Sequence, residues 1–184
     1  SDKQNMLGKL AEFRNQVKDA YKIAKKAKLP KISKAKISNI VVCGMGGSSA
    51  GGLLSSAFVK DYPLFVLRNY DIPNYVDKNS LVFVVSYSGN TEETLSAYNE
   101  AKKKKATIIA ITSGGRLAEK EKKNAILIPA GYQPRIALGY TFIPLLVALS
   151  RYKLIANQDQ AIREALNSLV PKSCSKEGFM VSKN

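Results

Sequence analysis

Short apolar runs alternate with amphipathic stretches along most of this chain. Met6, Leu10, Phe13, Val17 and Tyr21 recur at spacings of three and four with Lys and Glu between them. That spacing predicts one amphipathic helix ending near Ala27, before Pro30. Residues 30–38, rich in Lys and Ser, read as a linker. Beyond it, apolar runs predict strands over 39–43, 64–68, 81–85, 107–111 and 125–128, because a strand buried on both faces loses its polar alternation. Helices are predicted near 48–60, 91–104, 115–123, 135–151 and 157–169, the last ending before Pro171. Strands alternating with helices make a parallel sheet covered on both faces. Right-handed crossovers then arrange five strands as an α/β, three-layer αβα sandwich. The polar tail Lys172–Asn184 shows no periodicity and is expected to fray. The predicted organisation is an N-terminal helix over 1–30, an α/β domain over 36–170 and a tail over 171–184.

Two of the predicted strands end in loops built for anions. Ile40-Val41-Val42-Cys43 runs into Gly44-Met45-Gly46-Gly47-Ser48-Ser49, and Leu81-Val82-Phe83-Val84-Val85 runs into Ser86-Tyr87-Ser88-Gly89-Asn90-Thr91. Each is a buried strand turning into a helix, where free N-terminal amides face an anion. Gly46 and Gly47 let the backbone approach closely, and Ser48 begins the helix. The second loop offers the hydroxyls of Ser86, Ser88 and Thr91. Short hydroxyls and amides suit a phosphate on a small neutral body, so the expected ligand is phosphosugar-sized. Each loop alone also fits a tight reversal, and Asn90 with Glu93 fits a capping box. The pair is more specific, because open α/β sheets bind ligands beyond the strand ends where the strand order reverses. Glu92 and Glu93 align with the helix dipole and are expected to point away from a phosphate. Ser113-Gly114-Gly115, after the fourth strand, reads either as another wall of the pocket or, more commonly, as a helix start, and is left out of the expected site.

GMGGSSAGG, SYSGNTEETL, ITSGGRLAEK and PAGYQPRIALGY, in that order, resemble sugar isomerase (SIS) domains over roughly residues 36–150. The similarity is nearest to the N-terminal half of bifunctional phosphoglucose/phosphomannose isomerases, to which the QPRIALGY element narrows it. Ser49-Ala50 departs from the small-then-bulky pair expected there, yet both are small enough for a helix start. The resemblance implies a flavodoxin-like five-stranded sheet. It also implies phosphate binding by Gly46, Gly47, Ser48, Ser86, Ser88 and Thr91, and an active-site role for Arg135. Isomerising an aldose phosphate to a ketose phosphate passes through an enediolate, whose charge needs a fixed cation. Arg stays charged and can hold two oxygens. The implied ligands are glucose 6-phosphate, fructose 6-phosphate and mannose 6-phosphate. The competing assignment for Arg135 is a surface ion pair.

In such proteins a second SIS half carries the glutamate that moves the proton, the histidine that opens the ring and an assisting lysine. None of these is recognisable here, and the 184 residues contain no histidine. Alone, the chain is expected to bind hexose phosphate weakly and turn over little. It is expected to pair as a homodimer or with a second SIS half, through an apolar surface made by Met6, Leu10, Phe13 and Val17 and by Ile143 and Leu146. The alternative is a stand-alone SIS module that senses a sugar phosphate or serves as a partner subunit.

Composition narrows the remaining classes. Without histidine there is no Ser-His triad, no His-ligated zinc and no histidine acid–base catalysis. No cofactor or metal is expected. Cys43, inside a strand, and Cys174, in the tail, lack metal-ligand spacing and read as free thiols of a reducing compartment. The net charge of +15 comes mostly from lysines spread over 25–36, 102–105 and 120–123. No helix-turn-helix or aromatic platform accompanies them, so nucleic acid is not an expected partner, although the field would attract anionic sugars. No apolar run reaches the ~18–20 residues that span a bilayer. A cytoplasmic location away from membranes is expected. Dinucleotide binding is disfavoured, because Ser49 replaces the third glycine of GxGxxG and Leu67-Arg68-Asn69 ends the second strand without an acidic residue. A P-loop fails for want of Gly-Lys-Ser/Thr.

Overall fold

The computed structural model describes residues 12–169. Met6, Leu10, Cys174 and the tail over 171–184 lie outside them. The strands are β1 (Asn39–Cys43), β2 (Leu64–Leu67), β3 (Ser80–Val85), β4 (Thr107–Thr112) and β5 (Ala125–Leu127). All are parallel, in the order β2-β1-β3-β4-β5. The helices are α1 (Phe13–Lys26), α2 (Gly47–Ser56), α3 (Glu92–Lys103), α4 (Gly115–Lys120), α5 (Leu138–Arg151) and α6 (Asp159–Ser168). β1 and β3 are buried at every position, which explains their unbroken apolar runs.

Successive strand side chains point to opposite faces, and each face has its own helices. Ile40, Val42, Leu81, Phe83 and Ile109 join Val17 of α1, Leu145 and Leu149 of α5 and Ile162 of α6. Val41, Cys43, Val82, Val84 and Ala110 join Leu95 and Tyr98 of α3 and Leu117 of α4. The result is the three-layer sandwich read from the sequence. Cys43 is a core residue whose thiol is pushed up to about 12 by burial.

α2 owes its small residues to crowding from both sides. A Cβ on Gly52 would stand 2.8 Å from Val42, and one on Gly51 would stand 3.1 Å from the Thr141 carbonyl oxygen. The sheet and α5 therefore both touch the α2 backbone. The helix ends at Ser56, four residues before the predicted boundary, with Ala57 as its C-cap.

Two expectations need correction. Val17, Ile143 and Leu146, offered as bare docking surface, are buried in the chain's own core, because α1 and α5 cover each other's apolar stripe. The exposed large apolar side chains include Leu53, Leu54 and Phe58, on and just after α2. The helix expected to begin at 135 instead opens with a 3₁₀ turn, Pro134–Ile136, and becomes α-helical only at Leu138. The Gln16 side-chain amide donates to the Ile136 carbonyl at 3.0 Å. The Tyr140 amide bonds the Ala137 carbonyl instead.

Candidate functional site

The winding of the sheet reverses between β1 and β3, and both glycine- and serine-rich loops leave from there. Cys43 pairs with Val84 in register, so the loops start side by side. A Cβ on Gly44 would stand 3.0 Å from the Val85 carbonyl oxygen. This is the crevice in which open α/β sheets hold ligands.

In the first loop Gly46 takes a positive φ of 50° and occupies the N-cap of α2 without a side-chain cap. Ser49 donates its hydroxyl back to the Gly46 carbonyl at 2.8 Å, tightening the turn. Ser48 is buried in the first turn. No side chain caps the helix start, although the Ser48 amide donates to the Met45 carbonyl at 2.9 Å and the Ser49 amide to the Gly46 carbonyl at 3.2 Å.

The second loop is held by its own hydroxyls. The Gly89 amide donates to Ser86 Oγ at 3.1 Å, and Ser86 Oγ lies 3.0 Å from Thr91 Oγ1. One hydroxyl proton of that pair makes the mutual bond, which leaves the other for a ligand. Ser88 Oγ accepts the Asn90 amide at 3.2 Å, so its proton is also left to donate. Thr91 is the N-cap of α3, with no side-chain cap bond. The capping-box reading of Asn90 fails here. Its Oδ1 accepts the Arg116 amide at 3.0 Å, which ties the loop to α4 and leaves the α3 N-terminus open. Glu92 is exposed. The charge of the nearby Glu93 carboxylate raises the pKa of the exposed Tyr70 phenol.

Ser113-Gly114-Gly115 is more than a helix start. Gly89, at φ +70°, packs so closely on Gly114 that a Cβ would run into the Gly114 carbonyl, and a Cβ on Gly115 would run into the Ser88 carbonyl. Ser113 donates its hydroxyl to the Tyr87 carbonyl at 2.6 Å. The turn after β4 is the wall against which the second loop is shaped. The glycine pair was the available signal for it.

Arg135 reaches the first loop by a different route. A Cβ on Gly47 would stand 2.8 Å from the Pro134 carbonyl oxygen and 3.1 Å from Arg135 Cα. The 3₁₀ turn therefore rests on the first residue of α2. Arg135 is exposed, and among the described residues no carboxylate pairs with it. Tyr87, inside the second loop, donates its hydroxyl to the Pro129 carbonyl at 2.8 Å and accepts the Tyr132 amide at 2.9 Å. Burial raises its pKa. Sequence reading passed over both Tyr87 and Gln16, because their bonds run 42 to 120 residues along the chain.

A doubly wound parallel sheet with two paired phosphate-type loops at its switch point defines the class. The SIS domain model matches residues 31–152, and the chain belongs to the SIS domain family. The bifunctional phosphoglucose/phosphomannose isomerase of Caldicellulosiruptor bescii is 48% identical over 160 residues, 84% of this chain and 47% of that protein. The D-glucosamine-6-phosphate 4-epimerase of Sulfolobus acidocaldarius is 36% identical, over 73% of this chain and 44% of that protein. The chain spans about half the length of the curated relatives it matches. Among solved structures, the C-terminal domain of glucosamine-fructose-6-phosphate aminotransferase from Francisella tularensis superposes with a TM-score of 0.66 at 22% identity, over 89% of this chain and 52% of that one. That likeness supports the fold. None of the described helices is long and apolar enough to cross a membrane.

Proposed function

We propose that this chain is the phosphosugar-binding half of a glucose-6-phosphate/mannose-6-phosphate isomerase. The observation that carries the reading is the seam between Gly47 and the backbone of Pro134 and Arg135. It brings the backbone of Arg135, whose side chain has no carboxylate partner among the described residues, against the start of a helix, an arrangement that suits a phosphate. Gly46, Gly47 and Ser48 would bind the phosphate from one side, and Ser86, Ser88 and Thr91 from the other. The sugar chain then extends towards Arg135. A base removes the C2 proton of the open-chain aldose and the proton returns at C1. Between those steps the enediolate oxygens carry the charge that Arg135 meets. The base, the ring-opening group and any further selectivity belong to a second SIS half. Similarity to both an isomerase and an epimerase supports a shared phosphosugar-binding half, with the reaction decided elsewhere.

The test is Ser86→Ala with Ser88→Ala, titrated with fructose 6-phosphate by calorimetry. Hydrogen bonds to charged groups are worth about 1.5–3 kcal/mol each, so the pair should weaken binding by roughly 2–4 kcal/mol. Unchanged affinity rejects the assignment of the second loop. Proton exchange at C2 of fructose 6-phosphate, in the protein with both halves, separates an isomerase from a sensor.

A further inference from the structure

The family model matches residues 31–152, so α1 lies wholly before it, yet this helix touches the turn that carries Arg135. Gln16 is 1% exposed and spends its amide donor on the Ile136 carbonyl, the last of the 3₁₀ turn. Its own Oε1 has no hydrogen-bond partner among the described residues. A buried amide with an orphaned acceptor costs stability, and leucine or methionine would fill the same space without that cost. What the buried amide gives in return is its bond to the Ile136 carbonyl. Gly139 lets α1 come this close, since a Cβ there would stand 2.9 Å from Gln16 Cβ. Around it, Tyr132 donates to Glu12 at 3.1 Å and Tyr140 donates to Asp19 at 3.2 Å. α1 thus meets the segment from Tyr132 to Tyr140 through three polar side chains one turn apart.

We propose that Gln16 is a positioning residue. Through the Ile136 carbonyl it holds the 3₁₀ turn so that the Arg135 guanidinium faces the ligand. This rests on the reading of Arg135 given above. With Gln16 in place, the Ile136 carbonyl is held outside the helical ladder and Pro134–Ile136 stays a separate turn resting on Gly47. Without the donor, that carbonyl is free to accept the Tyr140 amide. The turn then winds into α5 and swings Arg135 about the helix axis.

Two probes separate positioning from folding. Inorganic phosphate tests the loops alone. The open-chain acid 5-phosphoarabinonate adds a carboxylate where the enediolate would carry its charge. In this chain, Gln16→Met should lower affinity for the acid about tenfold and leave that for phosphate within about twofold, on the scale of losing one aligned charge-assisted contact. Combined with Arg135→Lys it should cost no more than Arg135→Lys alone, because Gln16 acts through that arginine. Equal losses for both probes, or additive losses in the double variant, overturn the proposal.

Gln16→Glu is the second variant. Ionised, it has no proton for the Ile136 carbonyl; protonated, it does. Its deficit for the acid, taken relative to wild type at each pH, should therefore shrink as pH falls, a recovery that a purely structural role does not give. A deficit constant with pH counts against positioning. Should Arg135→Lys leave the acid's affinity unchanged, the reading of Arg135 has failed, and hydrogen exchange in the unliganded chain decides the rest. The Ile136 and Ala137 amides should exchange about tenfold faster in Gln16→Met while those of β3 do not move. Unchanged exchange removes Gln16 as well.

Discussion

The second loop, 86–91, and the arginine turn, 129–137, face the same crevice but are held in place by different means. The loop leaves β3 directly, and its shape is set by neighbours in sequence, Ser86 to Gly89 and Thr91 and Ser88 to Asn90, together with bonds from the adjacent β4–α4 segment to Asn90 and Tyr87. Its outer wall is the adjacent β4–α4 turn. The arginine turn comes after β5, a strand of only three residues at the sheet edge. It is held by side chains from elsewhere, Gln16 of α1 and Tyr87 of the second loop, and by the bare backbone of Gly47. A loop that inherits its position from the strand ladder is rigid by construction. A turn held by distant side chains is placed only once the whole domain has closed.

The largest expected effect lies in the rigid region. Gly89→Ala forces a side chain into the left-handed region, at roughly 1–2 kcal/mol. It also drives a methyl into the Gly114 carbonyl, itself bonded by Thr112 at 2.9 Å. Overpacking adds about 1–3 kcal/mol. Urea denaturation should therefore show a loss of about 3 kcal/mol. A loss below about 1 kcal/mol would mean that the loop yields, and the contrast between the two regions would collapse.

Next comes Arg135→Lys, in the protein with both halves. Lysine keeps the charge and loses the planar fork. On the proposed reading kcat falls on the order of 10²-fold, about 2.7 kcal/mol, with KM moving far less. If KM rose alone, Arg135 would instead be a ground-state phosphate ligand.

How much of this was legible in the sequence follows the same division. The strands, their parallel pairing and both loops rest on local signals: unbroken apolar runs, then Gly and Ser at the turn. The helical period even carried α5 through Pro144, which sits inside it. What failed depended on partners far along the chain. The period ran one helix back to 135, because nothing in the residues around Ile136 records that Gln16 takes its carbonyl. Asn90 and Glu93 have capping-box spacing, yet the Asn90 side chain is taken by Arg116 from the next helix. The stripes of α1 and α5 were both read as apolar, but the pattern could not say that they meet each other. For the candidate site, the residue types were legible, and the seam that joins Arg135 to Gly47 was not.

A smaller effect is expected at the brace between the two regions. Tyr87→Phe keeps the ring in the core and strips the Pro129 carbonyl and the Tyr132 amide of their partner. Partly buried groups that lose a bond cost about 1–2 kcal/mol together, since water recovers some of the difference. Hydrogen exchange should quicken at Tyr132 and leave Gly89 unchanged. Equal quickening at both would show one cooperative unit.

The smallest effect is a dependence on alkaline pH, absent near neutrality. Tyr87, Tyr132 and Tyr140 each donate a hydroxyl proton in holding the arginine turn. Burial is the first cause that raises each pKa, and the neighbouring carboxylates Glu12 and Asp19 add to it for the latter two. A phenol whose folded pKa lies above its unfolded value, about 10, contributes stability that is fully present below pH 10. That contribution is lost as pH rises through the higher folded value. Melting temperature should therefore be insensitive to these tyrosines from pH 7 to 9 and fall above about pH 10. Tyr98 and Tyr152 are also raised, so the fall alone does not single out the turn. The slope does. Tyr87→Phe removes one titrating group from the brace and should flatten the alkaline limb, whereas Ser88→Ala in the second loop should leave it unchanged. Identical slopes in all three proteins would show that the arginine turn does not depend on its tyrosine bonds.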